Sequence, residues 1–348
     1  MVSREQIRVS NSRVGTSLRP GLVAVFAGAT SGIGETSLIQ FAKVAVRPRI
    51  YFLGRSKASG DRVRDELDKV NSEGEYIYIS VDVSLLKSVD NVCHEIKSKE
   101  ETINLLFLTT GTMVTGKDTD EGLNYPAAVT FYARMRFIVN LLPLVRKATD
   151  LRRVVTVFAA TKEGPVDTGD LQSDNVPLLS QRGHFSSMMT LALEAIAEEA
   201  PDVSFIHDFP GSVKTNLGKE VKSATMMVMK AVFKVIGPFV FLAFDEAGER
   251  QVFFSTSARF PPRARGNEDA DAAAVGVGVP LPPTVGVARG TDGNTGSGVY
   301  SINIDGESAP PKVEQRLAKM RGDGTLQKVW AHVEEEFVRI TGAVSMSV

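Results

Sequence analysis

The chain has 348 residues, of which 43% are hydrophobic, enough to build the core of one large domain or two smaller ones. Its 40 basic and 41 acidic side chains leave a net charge of -1, which excludes a global attraction to nucleic acid or to an anionic membrane surface. The single cysteine, Cys93, excludes an internal disulfide framework, and with only four histidines beside it we expect no bound metal. The composition therefore predicts a globular, cytoplasmic protein whose partner is a small or apolar molecule.

Residues 1–20 form a polar, charged N-terminal extension without an apolar core, so we expect neither a secretory signal nor a membrane anchor there. From residue 21 to 262, short apolar runs alternate with longer segments of helical period, which is typical of helices laid on both faces of a parallel sheet. We predict strands at residues 22–28, 49–54, 75–80, 103–109, 153–159 and 203–208. Helices are predicted to begin near Gly32, Ala58, Leu85, Asn124 and His184. The predicted fold class is α/β, a single domain on a doubly wound parallel sheet of the Rossmann type.

A mostly apolar stretch, residues 224–244, departs from this alternation. It contains Lys230 and Lys234, one helical turn apart, and each would cost about 2.5 to 3.5 kcal/mol at the centre of a bilayer. We therefore predict an amphipathic helix within a lid region, residues 218–247, rather than a membrane span. Two alternatives stay open: the helix covers a substrate or packs in the core, or it makes shallow contact with a membrane.

The last part of the chain divides in two. Residues 263–297 are dense in Gly, Ala, Pro and Asp and carry few large apolar side chains, which predicts a flexible surface insertion. Residues 298–348 hold one further predicted strand, 298–306, followed by a charged helical pattern over residues 312–341 that completes the domain.

A glycine-rich turn follows the first predicted strand and opens directly into a helix; it reads Gly28-Ala29-Thr30-Ser31-Gly32-Ile33-Gly34. Glycines in such a turn let the backbone approach a pyrophosphate, and the helix N-terminus presents free N–H groups and a partial positive charge to it. The alternative is an ordinary tight turn. The flanking strand and helix, and the strand–helix units that follow, favour a nucleotide site.

Arg55 follows the second predicted strand. A sheet that selects NAD usually offers a carboxylate to the ribose hydroxyls at this place, whereas an arginine suits a 2'-phosphate. The sequence therefore predicts NADP(H) in preference to NAD(H). The alternative is a solvated arginine at a strand end.

Five motifs, in order along the chain, resemble those of the short-chain dehydrogenases/reductases. They are GATSGIGE at 28–35, GRS at 54–56, VDVS at 81–84, TTG at 109–111 and FPGSVKT at 209–215. The resemblance is greatest to the retinol-dehydrogenase-like branch and its fungal relatives in specialised metabolism, and it covers about residues 23–217. It implies the Rossmann fold and a bound NADP(H).

The resemblance also implies where the cofactor lies. The residues that would hold the pyrophosphate are Gly28, Ser31, Gly32, Ile33 and Gly34, and Arg55 would hold the 2'-phosphate. Those expected around the adenine are Asp82 and Val83, along the ribose Thr109 and Gly111, and at the nicotinamide carboxamide Val213 and Thr215.

The catalytic tetrad of that family, Asn, Ser, Tyr and Lys, is replaced at all four positions. Thr130 stands at the Asn position, and Phe158 and Ala159 stand where the family has serines. The Tyr and Lys of the family's YxxxK motif correspond here to His184 and Met188. The ordinary proton-transfer mechanism therefore does not carry over, whereas the cofactor motifs do.

We hypothesise that His184 donates the proton to the substrate oxygen. A phenol with a pKa near 10 needs a neighbouring cation to act as an acid at neutral pH, whereas an imidazolium with a pKa near 6.5 does not, so losing the lysine is consistent with gaining a histidine. Ser187 or Thr161 would give hydrogen-bond support, and Lys162 is a substitute cation. The alternative is that His184 only fills a helix N-terminus in an inactive site.

The sequence thus favours an NADP(H)-dependent oxidoreductase acting on a carbonyl or alcohol group of an apolar small molecule, such as a fungal secondary metabolite. The apolar preference rests on the Met- and Phe-rich segment 224–244. Two alternatives stay open: a redox-neutral isomerase, dehydratase or cyclase on the same fold, and a non-catalytic NADP(H)-binding protein. Because helices like those near Asn124 and His184 pair subunits in similar proteins, the resemblance also implies a homodimer.

Overall fold

The computed structural model describes residues 1–213, 242–263, 276–282 and 284–346. Within that part of the chain the strands are β1 (Val23–Ala27), β2 (Arg49–Gly54), β3 (Glu75–Ser80), β4 (Leu105–Leu108), β5 (Arg153–Val157), β6 (Ser204–Asp208) and β7 (Val299–Ile302). They form one parallel sheet in the order β3-β2-β1-β4-β5-β6-β7. The order reverses between β1 and β4, which is where open α/β sheets bind their ligands.

The described helices are α1 (Arg4–Ser12), α2 (Val14–Ser17), α3 (Gly32–Val44), α4 (Lys57–Val70), α5 (Leu86–Lys97), α6 (Tyr125–Ala127), α7 (Ala133–Lys147), α8 (Leu178–Glu199), α9 (Phe244–Thr256), α10 (Pro311–Gly322) and α11 (Thr325–Thr341). A π-helical turn, Ala128–Tyr132, joins α6 to α7. The predicted doubly wound parallel sheet is confirmed, and the six strands predicted up to residue 208 are found with each end within two residues of its predicted place.

Successive side chains of the central strands enter two separate cores. Val25 of β1 packs in the core under α5, α7, α8 and α11, whereas Phe26 packs in the core under α3, α4 and α9. The Phe26 ring lies 5.7 Å from that of Phe41 on α3 and 5.0 Å from that of Phe107 on β4. Both faces of the sheet are therefore covered, which explains why its strands are continuous apolar runs.

One predicted helix start is wrong: α8 begins at Leu178, not near His184. Its first turn is largely exposed, with Leu179 97% exposed, so the buried apolar period used to place the helix starts only at Phe185. His184 consequently lies in the second turn of α8 and not at its N-terminus. That position changes what its side chain contacts.

The N-terminal extension is helical and docked, which the sequence did not predict. Ser3 and Gln6 form a capping box at the start of α1. Arg4 and Arg8 both pair with Glu249 on α9, at 2.9 Å each. The capping box was a local signal of a helix start that sequence reasoning missed, whereas the docking on α9 depends on long-range contacts that no local pattern shows.

The flexible surface insertion predicted over residues 263–297 stays a prediction, and its described parts, 276–282 and 284–297, hold buried side chains among exposed ones. Val279 is fully buried, and Val285 and Ala288 are nearly so. The buried guanidinium of Arg153 donates to the Val277 carbonyl at 3.2 Å. Of the predicted lid region, only residues 242–247 fall within the described residues.

One continuous helical stretch, Tyr125–Lys147, is long and apolar enough to cross a membrane, and it is the single candidate among the described residues. However, 83% of its most apolar window is buried inside the protein. It is therefore explained as the core helix of a doubly wound fold. The amphipathic segment predicted over residues 224–244 lies almost wholly outside the described residues.

The C-terminal helix α11 covers part of α8, one of the helices through which the resemblance implies that two subunits pair. It packs on α8 and α5, and the Arg136 guanidinium of α7 lies 5.1 Å from the Phe337 ring. The Tyr132 hydroxyl lies 2.5 Å from His332 Nε2 on α11. A homodimer would have to form around this helix or on another surface, and it stays a prediction.

Candidate cofactor and active site

The turn between β1 and α3 can be built only with glycine at two of its positions. Gly28 has a positive φ of +84°, and a Cβ added there would lie 2.9 Å from Thr109 Oγ1. A Cβ added to Gly34 would lie 2.5 Å from the same oxygen and clash with the Gly28 carbonyl. Both contacts are closer than real Cβ atoms tolerate, so the chain leaves a bare backbone cradle at this edge of the sheet.

The N-terminus of α3 opens at this cradle. Ser31 is its N-cap residue, in an extended conformation, and its side chain makes no capping hydrogen bond. The first N–H groups of a helix have no intrahelical partner, so without that cap they remain donors for an anion. Gly32, with a φ of +63°, and Ile33 continue the turn into the helix. These residues fit the pyrophosphate role that the resemblance implies.

Thr109 fixes the neighbouring strand to the cradle. Its hydroxyl donates toward the carbonyls of Ala27 and Gly28, at 3.0 Å each. Gly111 follows two residues later at the carboxyl end of β4, half-buried. The Thr109 hydroxyl is therefore occupied within the protein, and the implied ribose contact of both residues stays a prediction.

Arg55 lies beside the cradle. β2 ends at Gly54, where an added Cβ would lie 2.5 Å from Thr30 Oγ1, so the strand end touches the glycine turn. Arg55 follows as an exposed residue, and Ser56 then caps α4 by accepting the Ser59 N–H at 3.3 Å. This places the guanidinium-bearing residue at the edge where the resemblance expects a 2'-phosphate.

Sequence reasoning missed a second cation there. Arg62 of α4 pairs with Glu35 of α3 at 2.7 Å and donates to the Thr30 carbonyl at 3.1 Å. It ties the start of α3 to α4 across the cradle. Its role depends on two helices meeting, so no local motif marks it.

The remaining cofactor residues lie at the carboxyl ends of other strands. Asp82, after β3, is exposed and accepts the Ser84 N–H at 2.9 Å, and Val83 beside it is half-buried. Val213 follows the Pro-Gly turn after β6 and pairs with Leu242 in an isolated parallel bridge. Thr215 lies outside the described residues. The structure thus brings the ends of β1 to β4 and of β6 to one rim, as predicted.

The residues that the sequence analysis assigned to the tetrad positions are held in the protein interior or at its edge by local contacts. Thr130 is buried in the π-helical turn, a distortion often found at functional sites. The Phe158 ring stacks on the His207 ring at 6.3 Å. Ala159 contributes a backbone hydrogen bond: its N–H donates to His207 Nε2 at 3.2 Å.

His184 is buried, with both ring nitrogens beside backbone groups. Nδ1 accepts the Asp167 N–H at 3.3 Å, and Nε2 lies 3.4 Å from the Leu171 carbonyl oxygen. These partners place the ring hydrogen on Nε2, and burial lowers the pKa of the imidazole. The geometry supports a neutral ring that anchors residues 167–171. Its role as the acid stays a prediction without support from these contacts.

Ser187 and Thr161, the two residues predicted to support His184 by hydrogen bonds, make no hydrogen bond to its ring among the described residues. The Ser187 hydroxyl is buried and donates to the Gly164 carbonyl at 2.6 Å. Thr161, at the end of β5, has a left-handed φ of +65°, and its buried hydroxyl has no hydrogen-bond partner among the described residues. The structure therefore does not join the three residues into one hydrogen-bonded group.

Known proteins that are similar to this chain identify its family. No family model matches the chain. The chain is 36% identical to oxidoreductase AN1596 of Emericella nidulans, over 96% of this chain and 97% of that protein. It is 33% identical to oxidoreductase andH of Emericella variicolor, over 99% of each. A short-chain dehydrogenase/reductase, SAT2 of Stachybotrys chartarum, is 27% identical over 89% of this chain and 90% of its own.

The chain belongs to the short-chain dehydrogenase/reductase family. Solved structures show the same fold: RhlG of Pseudomonas aeruginosa in complex with NADP has a TM-score of 0.52 at 15% identity, over 70% of this chain and 93% of that one. MalC reductase/Diels-Alderase of Malbranchea aurantiaca has a TM-score of 0.51 at 14% identity, over 71% and 92%. The resemblance drawn from the motifs is confirmed, and the protein is an oxidoreductase of this family.

In this short-chain dehydrogenase/reductase a buried arginine joins the ends of two strands. Arg134 of α7 is 1% exposed; its Nη1 donates to the Val157 carbonyl of β5 at 2.9 Å, and its Nε donates to the Thr110 carbonyl after β4 at 3.1 Å. Burial lowers the pKa of Arg134 to about 9. Sequence reasoning missed it, although an arginine inside an otherwise apolar helix was the available signal.

A second buried network underlies the segment after β5, and sequence reasoning missed it as well. Glu163 Oε1 accepts the hydroxyls of Thr190 at 2.9 Å and Ser301 at 2.6 Å, and burial raises the pKa of this carboxyl. Ser301 Oγ also accepts the Thr161 N–H at 2.9 Å. The Thr190 hydroxyl also lies 2.9 Å from His207 Nδ1, so His207 belongs to the same network. Burial lowers the pKa of His207 to about 3, which keeps its ring neutral. The network holds the left-handed turn at Thr161 in place.

Proposed function

We propose that this short-chain dehydrogenase/reductase uses NADP(H) to interconvert a carbonyl and an alcohol on an apolar small molecule. The observation that carries the proposal is the cradle at Gly28 and Gly34, which a Cβ would fill and which opens onto the N-terminus of α3. Arg55 at the adjoining strand end favours the phosphorylated cofactor. The chain is similar over nearly its whole length to oxidoreductases of Emericella nidulans and Emericella variicolor, and the proposed substrate is a fungal secondary metabolite.

The residues present fit the cofactor. NADP(H), when bound, supplies or accepts the hydride. The chain's own part is to hold the pyrophosphate on the backbone of residues 28–34, to pair the 2'-phosphate with Arg55, and to orient the nicotinamide against the carboxyl ends of β4, β5 and β6. Such positioning lowers the barrier by removing the entropy cost of bringing the reactants together.

The cofactor preference is tested at Arg55. We expect Arg55→Ala to weaken NADPH binding by about 10- to 100-fold, the loss of one charge-assisted hydrogen bond to phosphate, while the weaker affinity for NADH changes little. Lys57→Ala, which removes an exposed cation two residues away, is the matched control and should leave both affinities unchanged. Calorimetric titration with each cofactor decides. An equal loss for NADPH and NADH would contradict a 2'-phosphate role.

The reaction class is tested by following NADPH while product forms. Loss of NADPH in equal amount to product supports the proposed reduction. Product without loss of NADPH would instead identify a redox-neutral isomerase, dehydratase or cyclase. Tight NADPH binding without product would identify a non-catalytic binder.

The role of His184 is tested with His184→Phe, which keeps an aromatic body. We expect the free energy of unfolding to fall by about 1 to 3 kcal/mol, because the Asp167 N–H and the Leu171 carbonyl lose their partner. The folded-state pKa of His184 is below its unfolded value, so the wild type should lose part of this advantage as pH falls below about 6.5. Urea unfolding at pH 8 and pH 5 measures both effects.

The pH profile of turnover in the same variant separates anchoring from acid catalysis. An anchoring residue leaves the shape of the profile unchanged even when the rate falls. If His184→Phe abolishes the limb of the profile that depends on a protonated group while the protein stays folded, His184 is the acid that the sequence predicted.

We also propose a cytoplasmic location for the protein. Shallow membrane contact through residues 224–244 and a homodimer stay predictions.

A further inference from the structure

Two cations flank one aromatic ring at the rim of the candidate site. Phe209 directly follows β6 and precedes the turn formed by Pro210 and Gly211. Val213 comes two residues after Gly211. Lys162 Nζ lies 5.6 Å from the centre of the Phe209 ring, and Arg182 Cζ lies 5.0 Å from it. Lys162 comes from the segment after β5 and Arg182 from the first turns of α8, and both residues are exposed.

A backbone contact between two glycines brings these cations together. The Gly164 N–H donates to the Gly183 carbonyl at 2.9 Å. A Cβ added to Gly164 would lie 2.8 Å from Gly183 Cα, so no other residue allows the segment after β5 to approach α8 this closely. Lys162 lies two residues before Gly164 in one segment, and Arg182 directly precedes Gly183 in the other. Their proximity is therefore built into the backbone and does not depend on side-chain rotamers alone.

Among residues 1–213, 242–263, 276–282 and 284–346, no carboxylate pairs with Lys162 or Arg182. Neither cation forms an ion pair with any residue that the structure describes, whereas Arg146 and Arg152 both pair with Asp202. Glu163, next to Lys162 in sequence, is buried and turned toward Thr190 and Ser301. Partial burial lowers the pKa of Arg182, and no neighbouring charge counters it. Two exposed cations beside one ring form a local positive patch, and charge-assisted hydrogen bonds from both would favour an anion there.

We propose that Lys162 and Arg182 bind a carboxylate of the substrate, so that the substrate of the proposed reaction is an apolar molecule carrying one carboxylate. This inference rests on the proposed function, because it places the anion beside the turn that leads to Val213. The guanidinium of Arg182 can hold both oxygens of a carboxylate, and the ammonium of Lys162 adds a point charge. The Phe209 ring, which lies within 6 Å of both cations, offers apolar contact to the adjoining part of the substrate.

The test is calorimetric titration of the NADPH complex with dodecanoate and with its uncharged methyl ester. We expect the wild type to bind dodecanoate at least about 10-fold more tightly than the ester, as for a carboxylate held by charge-assisted hydrogen bonds. The double variant Lys162→Met/Arg182→Met should bind dodecanoate about 10- to 100-fold more weakly, at the level of the ester. Its affinities for the ester and for NADPH should stay unchanged.

Two further variants make the result specific. Lys319→Met/Lys328→Met removes the same charge from exposed positions on α10 and α11 and should keep the preference for dodecanoate. Arg182→Lys keeps the charge without the fork and should retain most of it. An equal loss in the Lys319/Lys328 variant, or a wild type without preference for dodecanoate, would overturn the carboxylate site while intact NADPH binding leaves the proposed function standing. A wild type that binds no NADPH would instead overturn the proposed function.

Discussion

Gly34→Ala is expected to weaken NADPH binding by about 100-fold or more, corresponding to about 2.7 kcal/mol at 1.36 kcal/mol per factor of ten. The added methyl group would lie 2.5 Å from Thr109 Oγ1 and would also clash with the Gly28 carbonyl, so the turn has to move. Because the pyrophosphate is held by backbone N–H groups, any displacement of that backbone removes several contacts together. Calorimetric titration with NADPH measures the loss.

A matched control separates this effect from the general cost of the substitution. Gly322 ends α10, and a Cβ added there meets nothing within 4 Å. Gly322→Ala should therefore bind NADPH as the wild type does. If Gly34→Ala bound NADPH within threefold of the wild type, the cradle would not be the cofactor site, and the proposed function would lose the observation that carries it.

The glycine cradle and the elements beside it could be predicted because their signals are local in sequence. The cradle, the strand before it and the helix after it all lie within residues 23–44, and Arg55 directly follows the next strand. Each element there is specified by its own residues: continuous apolar runs for buried strands and glycines for the turn. The comparisons with known proteins confirm the family that these motifs indicated.

The surroundings of His184 and Thr161 could not be predicted in the same way, because their contacts join distant residues. Glu163 meets Ser301, which is 138 positions away, and the ring of His184 contacts the segment at Asp167 and Leu171 because α8 starts earlier than its apolar period. A single sequence predicts that the family's tetrad is replaced, but not which long-range hydrogen bonds the residues at those positions make. The burial of His184, which sets its charge, depends on those contacts.

Arg134→Met is expected to lower the free energy of unfolding by about 2 to 5 kcal/mol, the cost of leaving buried carbonyl groups without donors. The arginine is the link between the Thr110 and Val157 carbonyls at the ends of β4 and β5, and methionine matches its length but donates no hydrogen bond. The change also removes a cation that lowers the pKa of Asp208, whose carboxyl burial already raises to about 7. Urea denaturation measures the loss.

The pH dependence of that loss identifies its cause. Asp208 has a folded-state pKa above its unfolded value, so its ionisation destabilises the fold as pH rises, and removing Arg134 should enlarge this effect. The difference in unfolding free energy between Arg134→Met and the wild type should therefore be larger at pH 8 than at pH 5. Arg146→Met, which removes an exposed arginine from the same helix, should cost less than about 1 kcal/mol at both pH values. A loss for Arg134→Met that is equally small would show that the strand ends at the site hold together without this buried cation.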